Sequence, residues 1–152
     1  MLELKSELLC ELVGDLDDPQ EIGETPHGVR IIIPVLSGTI KGPKLNGEAL
    51  PFGADWVLLR PDGTSELDVR ITIRTDDGEL IYTYYRGIAK VDPEIMERIE
   101  NGEDVDPSEY YFRTTPVFET GSEKYSWLNQ IICVGVGKIE QKRVRYKIYQ
   151  IL

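Results

Sequence analysis

The chain of 152 residues carries 27 acidic against 17 basic side chains, a formal net charge of −10, with 41% hydrophobic and 29% charged residues. A chain of this length buries roughly two-thirds of its unfolded surface in one core, so a single ordered domain over residues 1–152 is expected. Neither nucleic acid nor an anionic membrane is an expected partner, because a phosphate-tracking surface needs clustered Lys and Arg.

The first β-rich run covers Leu2–Val13, without the basic start and long apolar stretch of a secretory leader, so the cytoplasm is the expected compartment. Cys10 and Cys133 lie far apart in strand-like sequence and read as small buried hydrophobes. After a loop-like Gly23–Arg30, which holds His27, strands are expected at Val29–Leu36, Thr39–Lys41, Ala54–Arg60, Ser65–Arg74 and Glu79–Arg86. Asp92 as cap, Pro93 in the first turn, the stripe Ile95, Met96, Ile99 and the stop Asn101-Gly102 predict one short helix, whose apolar stripe suits a lid on the sheet. Strands resume at Tyr110–Glu119, Trp127–Glu140 and Arg143–Leu152.

Reversals are marked by Gly38, Gly42-Pro43, Asn46-Gly47, Pro61-Asp62-Gly63, Asp76-Asp77-Gly78 and Gln141-Lys142, short links of the kind that join antiparallel neighbours. Many short antiparallel strands must hide their edges, and closure removes them. The expectation is an all-β fold with one short helix, an antiparallel barrel of calycin-like form with about eight to ten strands; a two-sheet sandwich is the alternative.

Pro61-Asp62-Gly63 and Asp76-Asp77-Gly78 both suit a three-residue hairpin loop ending in a left-handed glycine, and each then fixes a register. Leu58 falls opposite Glu66, Trp56 opposite Asp68, Ala54 and Tyr84 opposite Arg70, Tyr82 opposite Thr72, and Arg86 opposite Asp68. Side chains alternate along a strand, so Trp56, Asp68, Arg70, Thr72, Tyr82, Tyr84 and Arg86 share one face. Val57, Leu59, Leu67, Val69, Ile71, Ile73 and Ile81 share the other. Either the aliphatic face is the core and the polar-aromatic face is solvated, or the indole, acid, guanidinium and phenol groups line the barrel as a ligand pocket. In the second case another part of the chain or another subunit covers the aliphatic face, and a homo-oligomer is expected. Arg113 on the strand Tyr110–Glu119 can join that pocket or form a surface ion pair.

One histidine and two distant cysteines make no transition-metal signature, so no metal and no cofactor are expected. A Gly-x-Ser-x-Gly elbow is absent, which argues against a Ser-His-Asp hydrolase. Gly135-Val136-Gly137 lies between two strands and opens no helix, so these glycines fit crowding in a curved sheet better than a dinucleotide site.

The motifs GETPHGVR at Gly23–Arg30, GADW at Gly53–Trp56, LDVRITIRTDDGELIYTYYRG at Leu67–Gly87, YYFRTTPVFETG at Tyr110–Gly121 and YSWLN at Tyr125–Asn129 together resemble the bacterial and fungal family labelled domain of unknown function 3237. The resemblance implies a small intracellular β-barrel, oligomeric and without an established activity for the family as a whole. Some relatives appear among small-molecule biosynthetic functions. Trp56, Asp68, Arg70, Arg113, Trp127 and Asn129 fall within the matching motifs.

The leading functional expectation is a barrel that binds a small organic molecule, in one form a cofactor-independent acid–base enzyme of isomerase, cyclase or lyase type acting on an aromatic or carbonyl metabolite. Asp68 would accept the proton, Arg70 and Arg113 would hold an oxyanion, and Tyr82 or Tyr84 would donate. Trp56 and Trp127 would stack on the ligand, with Arg86 and Asn129 completing the contacts. An Asp beside two Arg is more often held ionised than tuned, which counts against catalysis. A carrier without turnover and an oligomeric interaction module without a pocket are the alternatives.

Overall fold

The computed structural model describes residues 2–152. Ten strands form one antiparallel sheet: β1 (Ser6–Leu16), β2 (Gln20–Thr25), β3 (Gly28–Lys41), β4 (Gly47–Ala49), β5 (Gly53–Leu59), β6 (Thr64–Thr75), β7 (Leu80–Lys90), β8 (Tyr111–Glu119), β9 (Ile132–Glu140) and β10 (Arg143–Ile151). A helix, α1 (Pro93–Glu100), links β7 to β8. Pairing runs β1-β10-β9-β8-β7-β6-β5-β3 and returns from β3 to β1, which closes the barrel and removes its edges. β2 and β4 are additions flanking β3.

β3 is the seam. Its first half pairs β5 and β2, and its second half pairs β1 and β4. The sequence reads two strands here, split at Gly38, but the chain runs straight through. A side chain at Gly38 would meet Val13 O at 2.8 Å, so the glycine serves a close backbone approach and not a turn. The loop-like Gly23–Arg30 is likewise a hairpin, β2 to β3, turning at Pro26-His27 with Thr25 Oγ1 donating to Gly28 O at 2.8 Å. The start of the expected strand Trp127–Glu140 is a 3₁₀ turn over Ser126–Gln130 that buries Leu128.

Both hairpin loops have the expected form. Gly63 N–H donates to Arg60 O at 3.0 Å and Gly78 N–H to Thr75 O at 2.9 Å, with φ of 81° and 89° at the two glycines. The registers follow: Leu58 faces Glu66, Ala54 faces Arg70, and Asp68, Arg70 and Thr72 face Arg86, Tyr84 and Tyr82. The polar-aromatic pocket does not. Leu67, Val69, Ile71, Ile73 and Ile81 point inward and are at most 6% exposed, whereas Trp56, Tyr82 and Tyr84 face out at 36–39%. The expectation of a Trp-Asp-Arg-Tyr interior is therefore corrected. An eight-stranded barrel has room for its own side chains and at most one small ligand, and two guanidiniums and a carboxylate inside it would be desolvated at a cost no aliphatic residue incurs. Burying each large aliphatic instead contributes about 1.5–3 kcal/mol.

The two barrel ends differ. At one, Leu45 and Leu128 are buried and Asp77 ties the β6–β7 loop to Tyr125, whose OH donates to Asp77 Oδ1 at 3.0 Å, and to Lys124 at 2.5 Å. At the other, α1 packs against β9 and buries Ile99, and Gln141 Nε2 donates to Glu100 O at 3.1 Å. Asp92 stands at the N-cap position, but its side chain makes no capping bond. This helix covers the β7–β9 side of its end. On the β3–β5 side the inward residues Ile31, Ile33, Asp55 and Leu59 are partly exposed, so this end is the mouth.

Candidate active site inside the barrel mouth

Asp55 is an acid in an aliphatic stripe. On β5 it alternates with Val57 and Leu59, and in the ladder it lies opposite Ile33 of β3 and Val69 of β6. Val69 in turn faces Tyr85 of β7, so Asp55, Val69 and Tyr85 sit at one level of the barrel with their side chains inside. Tyr146 of β10 completes the group. Its ring meets Tyr85 edge-on at 5.2 Å between centroids and Phe112 at 5.3 Å. Gly137, opposite Tyr146 in the β9–β10 ladder, makes room for this cluster: a side chain there would lie 2.7 Å from the Phe112 ring.

A break in the barrel wall holds the carboxylate. The β5–β6 ladder pairs Ala54 with Arg70, Asp55 with Val69, Leu58 with Glu66 and Leu59 with Ser65, and is interrupted at Trp56 and Val57 between them. The Asp68 N–H freed there donates to Asp55 Oδ1 at 3.1 Å, and the Trp56 carbonyl accepts from Arg30 Nη1 at 3.0 Å. The unpaired backbone groups are thus satisfied by side chains.

Among the described residues no Lys or Arg pairs with Asp55, and burial pushes its carboxyl up to about 7. The Asp68 N–H opposes that shift and the Asp68 charge adds to it. Burial also raises Tyr85 and Tyr146, and the Asp55 charge raises both further, so the phenols stay protonated. Thr114 Oγ1, on an inward position of β8, is buried without a partner. A carboxyl that titrates near neutrality beside two neutral phenols can take up and return a proton while the phenols donate to an oxygen that gains charge.

The residues singled out in sequence go elsewhere. Asp68 points outward 3.8 Å from Arg70 Nε, and Arg70 and Arg86 are 60% and 73% exposed. Tyr82 and Tyr84 stack at 5.5 Å on the outer wall. Arg113 lies 5.1 Å over the Tyr111 ring and donates to Phe112 O at 2.8 Å. It lines an outer groove of about 560 Å³ with Arg86, Ile88 and Thr115. Trp127 lies at the closed end with Lys44 over its ring at 5.8 Å, in a recess of about 420 Å³. Asn129 uses its amide on Thr120, accepting from N–H at 2.8 Å and donating to O at 3.0 Å. The structure therefore gathers Trp56, Asp68, Arg70, Tyr82, Tyr84, Arg86 and Arg113 on one outer wall and separates Trp127 and Asn129 from them.

Asp55, Tyr85 and Tyr146 are the residues that sequence reasoning missed. Their signal was phase: each occupies an aliphatic-face position, Asp55 with Val57, Tyr85 with Ile81, and Tyr146 with Val144 and Ile148. Cys10 and Cys133 are buried free thiols that burial raises to about 12 and about 11, which makes neither a nucleophile. Among the described residues, no group of three or more His, Cys, Asp or Glu is placed to hold a metal ion. Among the described residues, no helix is long and apolar enough to cross a membrane.

The UPF0311 protein of Rhodopseudomonas palustris is 38% identical over 149 residues, 98% of this chain and 97% of that protein. Its crystal structure superposes with a TM-score of 0.93 over 100% of both chains. The UPF0311 protein of Clostridium acetobutylicum is 41% identical over 150 residues, 98% of this chain and 95% of that protein. A structure described as a beta-barrel like protein from Acinetobacter baumannii has 38% identity and a TM-score of 0.87, covering 100% of this chain and 98% of that one. The family described as Protein of unknown function (DUF3237) matches residues 4–151, and the chain belongs to that family.

Proposed function

We propose that the barrel binds a small carbonyl-bearing organic molecule at its mouth and performs acid–base chemistry on it without a cofactor. One observation carries this: the largely buried, cation-free Asp55 carboxyl, raised to about 7, beside the phenols of Tyr85 and Tyr146. A folded protein keeps an uncompensated acid inside an aliphatic barrel at a cost to stability, and such costs gather at functional sites. The partly exposed Ile31, Ile33 and Leu59 supply apolar walls around it, and a few polar groups on apolar walls is the usual make-up of a ligand site.

In this reading Asp55 removes a proton from carbon beside the carbonyl, a neutral phenol donates to the oxygen that becomes enolate, and Asp55 returns the proton to the same or a neighbouring position. That is an isomerisation, and the same groups serve a cyclisation or elimination. The earlier assignment of Asp68, Arg70 and Tyr82 to these roles passes to Asp55, Tyr85 and Tyr146. Two buried free thiols suit a reducing compartment, which supports a cytoplasmic location in this reading.

The test is a thermal-shift screen with aromatic acids, ketones and lactones, followed by turnover assays on each compound that binds. Native chain should be stabilised by at least one class, with turnover abolished and binding kept in Asp55→Asn. A ¹³C titration of the Asp55 carboxyl should give a midpoint near neutrality. An Asp55 midpoint in the ordinary carboxylate range, or no stabilisation by any class, defeats the reading.

A further inference from the structure

The outer wall of β6–β9 has no use in the proposed chemistry, yet its composition is not that of ordinary solvated surface. Leu80, Tyr82, Tyr84 and Ile88 of β7, Tyr111 and Val117 of β8, and Ile132 of β9 are 37–72% exposed. Register makes them contiguous, because Tyr84 faces Val117 across β7 and β8, and Ile88 faces Arg113. Among them stand Arg70, Arg86 and Arg113, with Trp56 at the margin on β5. Tyr, Trp and Arg are the residues enriched where protein surfaces bind one another, and contiguous apolar patches of this extent mark interaction sites.

We infer that this wall is the contact surface between two copies of the chain. Charge selects the occupant. The chain carries a net −10, so its copies repel over most of the surface. On this wall Arg74 and Lys138 are already held by Glu48 and Asp104, and Arg70, Arg86 and Arg113 stand with Glu66, Asp68 and Glu119. The same wall turned about a two-fold axis can set arginines against acids, as a self-complementary patch requires. Arg70 and Arg86 are free to do so: Arg86 lies 4.0 Å from Glu66 and Arg70 3.8 Å from Asp68, both at the long limit of an ion pair and both well exposed.

Size agrees with a dimer contact. Leu80–Ile88 extends about 30 Å and four strands about 19 Å, a plane of about 570 Å² before side-chain relief is counted, which approaches the about 800 Å² per partner of a standard interface. The groove between Arg86, Ile88, Tyr111 and Arg113 gives a recess for a projecting ring of the opposing copy. The barrel mouth opens at a different part of the molecule, on the β3–β5 side, so dimerisation leaves Asp55 reachable.

Sedimentation equilibrium from about 1 to about 100 µM tests this. Native chain should sediment at twice its 17.3 kDa mass at the upper concentrations. Tyr84→Glu and Val117→Glu should each raise the dissociation constant by about thirtyfold or more, with the native circular dichroism spectrum kept, since both positions are exposed. Arg86→Glu should weaken the dimer, and Lys41→Glu on β3, across the barrel from β8, should not. A native chain that stays monomeric at the highest concentration, or a dimer indifferent to both Tyr84→Glu and Val117→Glu, overturns the inference.

Discussion

Replacing Asp55 by Asn should make the protein more stable at neutral and alkaline pH while leaving it nearly unchanged at acid pH. Asn keeps an oxygen to accept the Asp68 N–H and cannot ionise. In the native fold the carboxyl titrates at about 7, against 3.8 for an ordinary Asp. A raised carboxyl costs nothing while it is protonated in both folded and unfolded chains. As pH climbs through about 4 the unfolded chain ionises and the folded one resists, so native stability falls until about pH 7 and then levels. The difference of about three pKa units corresponds to about 4 kcal/mol. Urea unfolding of both proteins, extrapolated to water at about pH 4 and about pH 8, measures the gap between them. The comparison cancels the other carboxylates, which titrate alike in both chains. A gap that changes by less than about 1 kcal/mol across that range means that Asp55 ionises like an exposed acid, and the acid–base reading is then wrong.

Tyr146→Phe should fold within about 1.5 kcal/mol of native, because the ring contacts with Tyr85 and Phe112 survive, while the rate on any compound the native chain turns over drops about a hundredfold. Gly137→Ala should cost about 1–3 kcal/mol by chemical denaturation, since its methyl would press into the Phe112 ring at 2.7 Å. Lys124, Thr75 and Tyr125 hold the exposed Asp77 carboxyl well below its ordinary range, so its contribution is present above that range and lost as pH falls from there through the lowered folded value. Asp77→Asn should therefore flatten the acid unfolding curve followed by circular dichroism. Asn129→Ala should lose about 1–2 kcal/mol with its two bonds to the Thr120 backbone, and ligand affinity should be unchanged.

The fold was legible because short-range rules decide it. Left-handed glycines at 63 and 78 set three-residue loops, the loops set the registers, and eight of the ten antiparallel strands close on themselves. What register could not decide was which face of the ribbon turns inward. Alternation separates Trp56, Arg70 and Tyr84 from Val57, Ile71 and Ile81, and is silent on which set is enclosed. Interior volume and desolvation settle that, and both depend on curvature that no single hairpin encodes. The same silence hid the site. Asp68 has the more conspicuous company in sequence, with arginines two residues away and across the strand, but it points outward beside Arg70, away from the barrel interior. Asp55 has only hydrocarbon on its own face of β5, and that poverty of partners makes it the carboxyl raised toward neutrality. In a barrel of this size a polar residue found in the aliphatic phase of a strand is thus a better pointer to chemistry than a cluster of charges in the polar phase, since only the first has been kept against a cost.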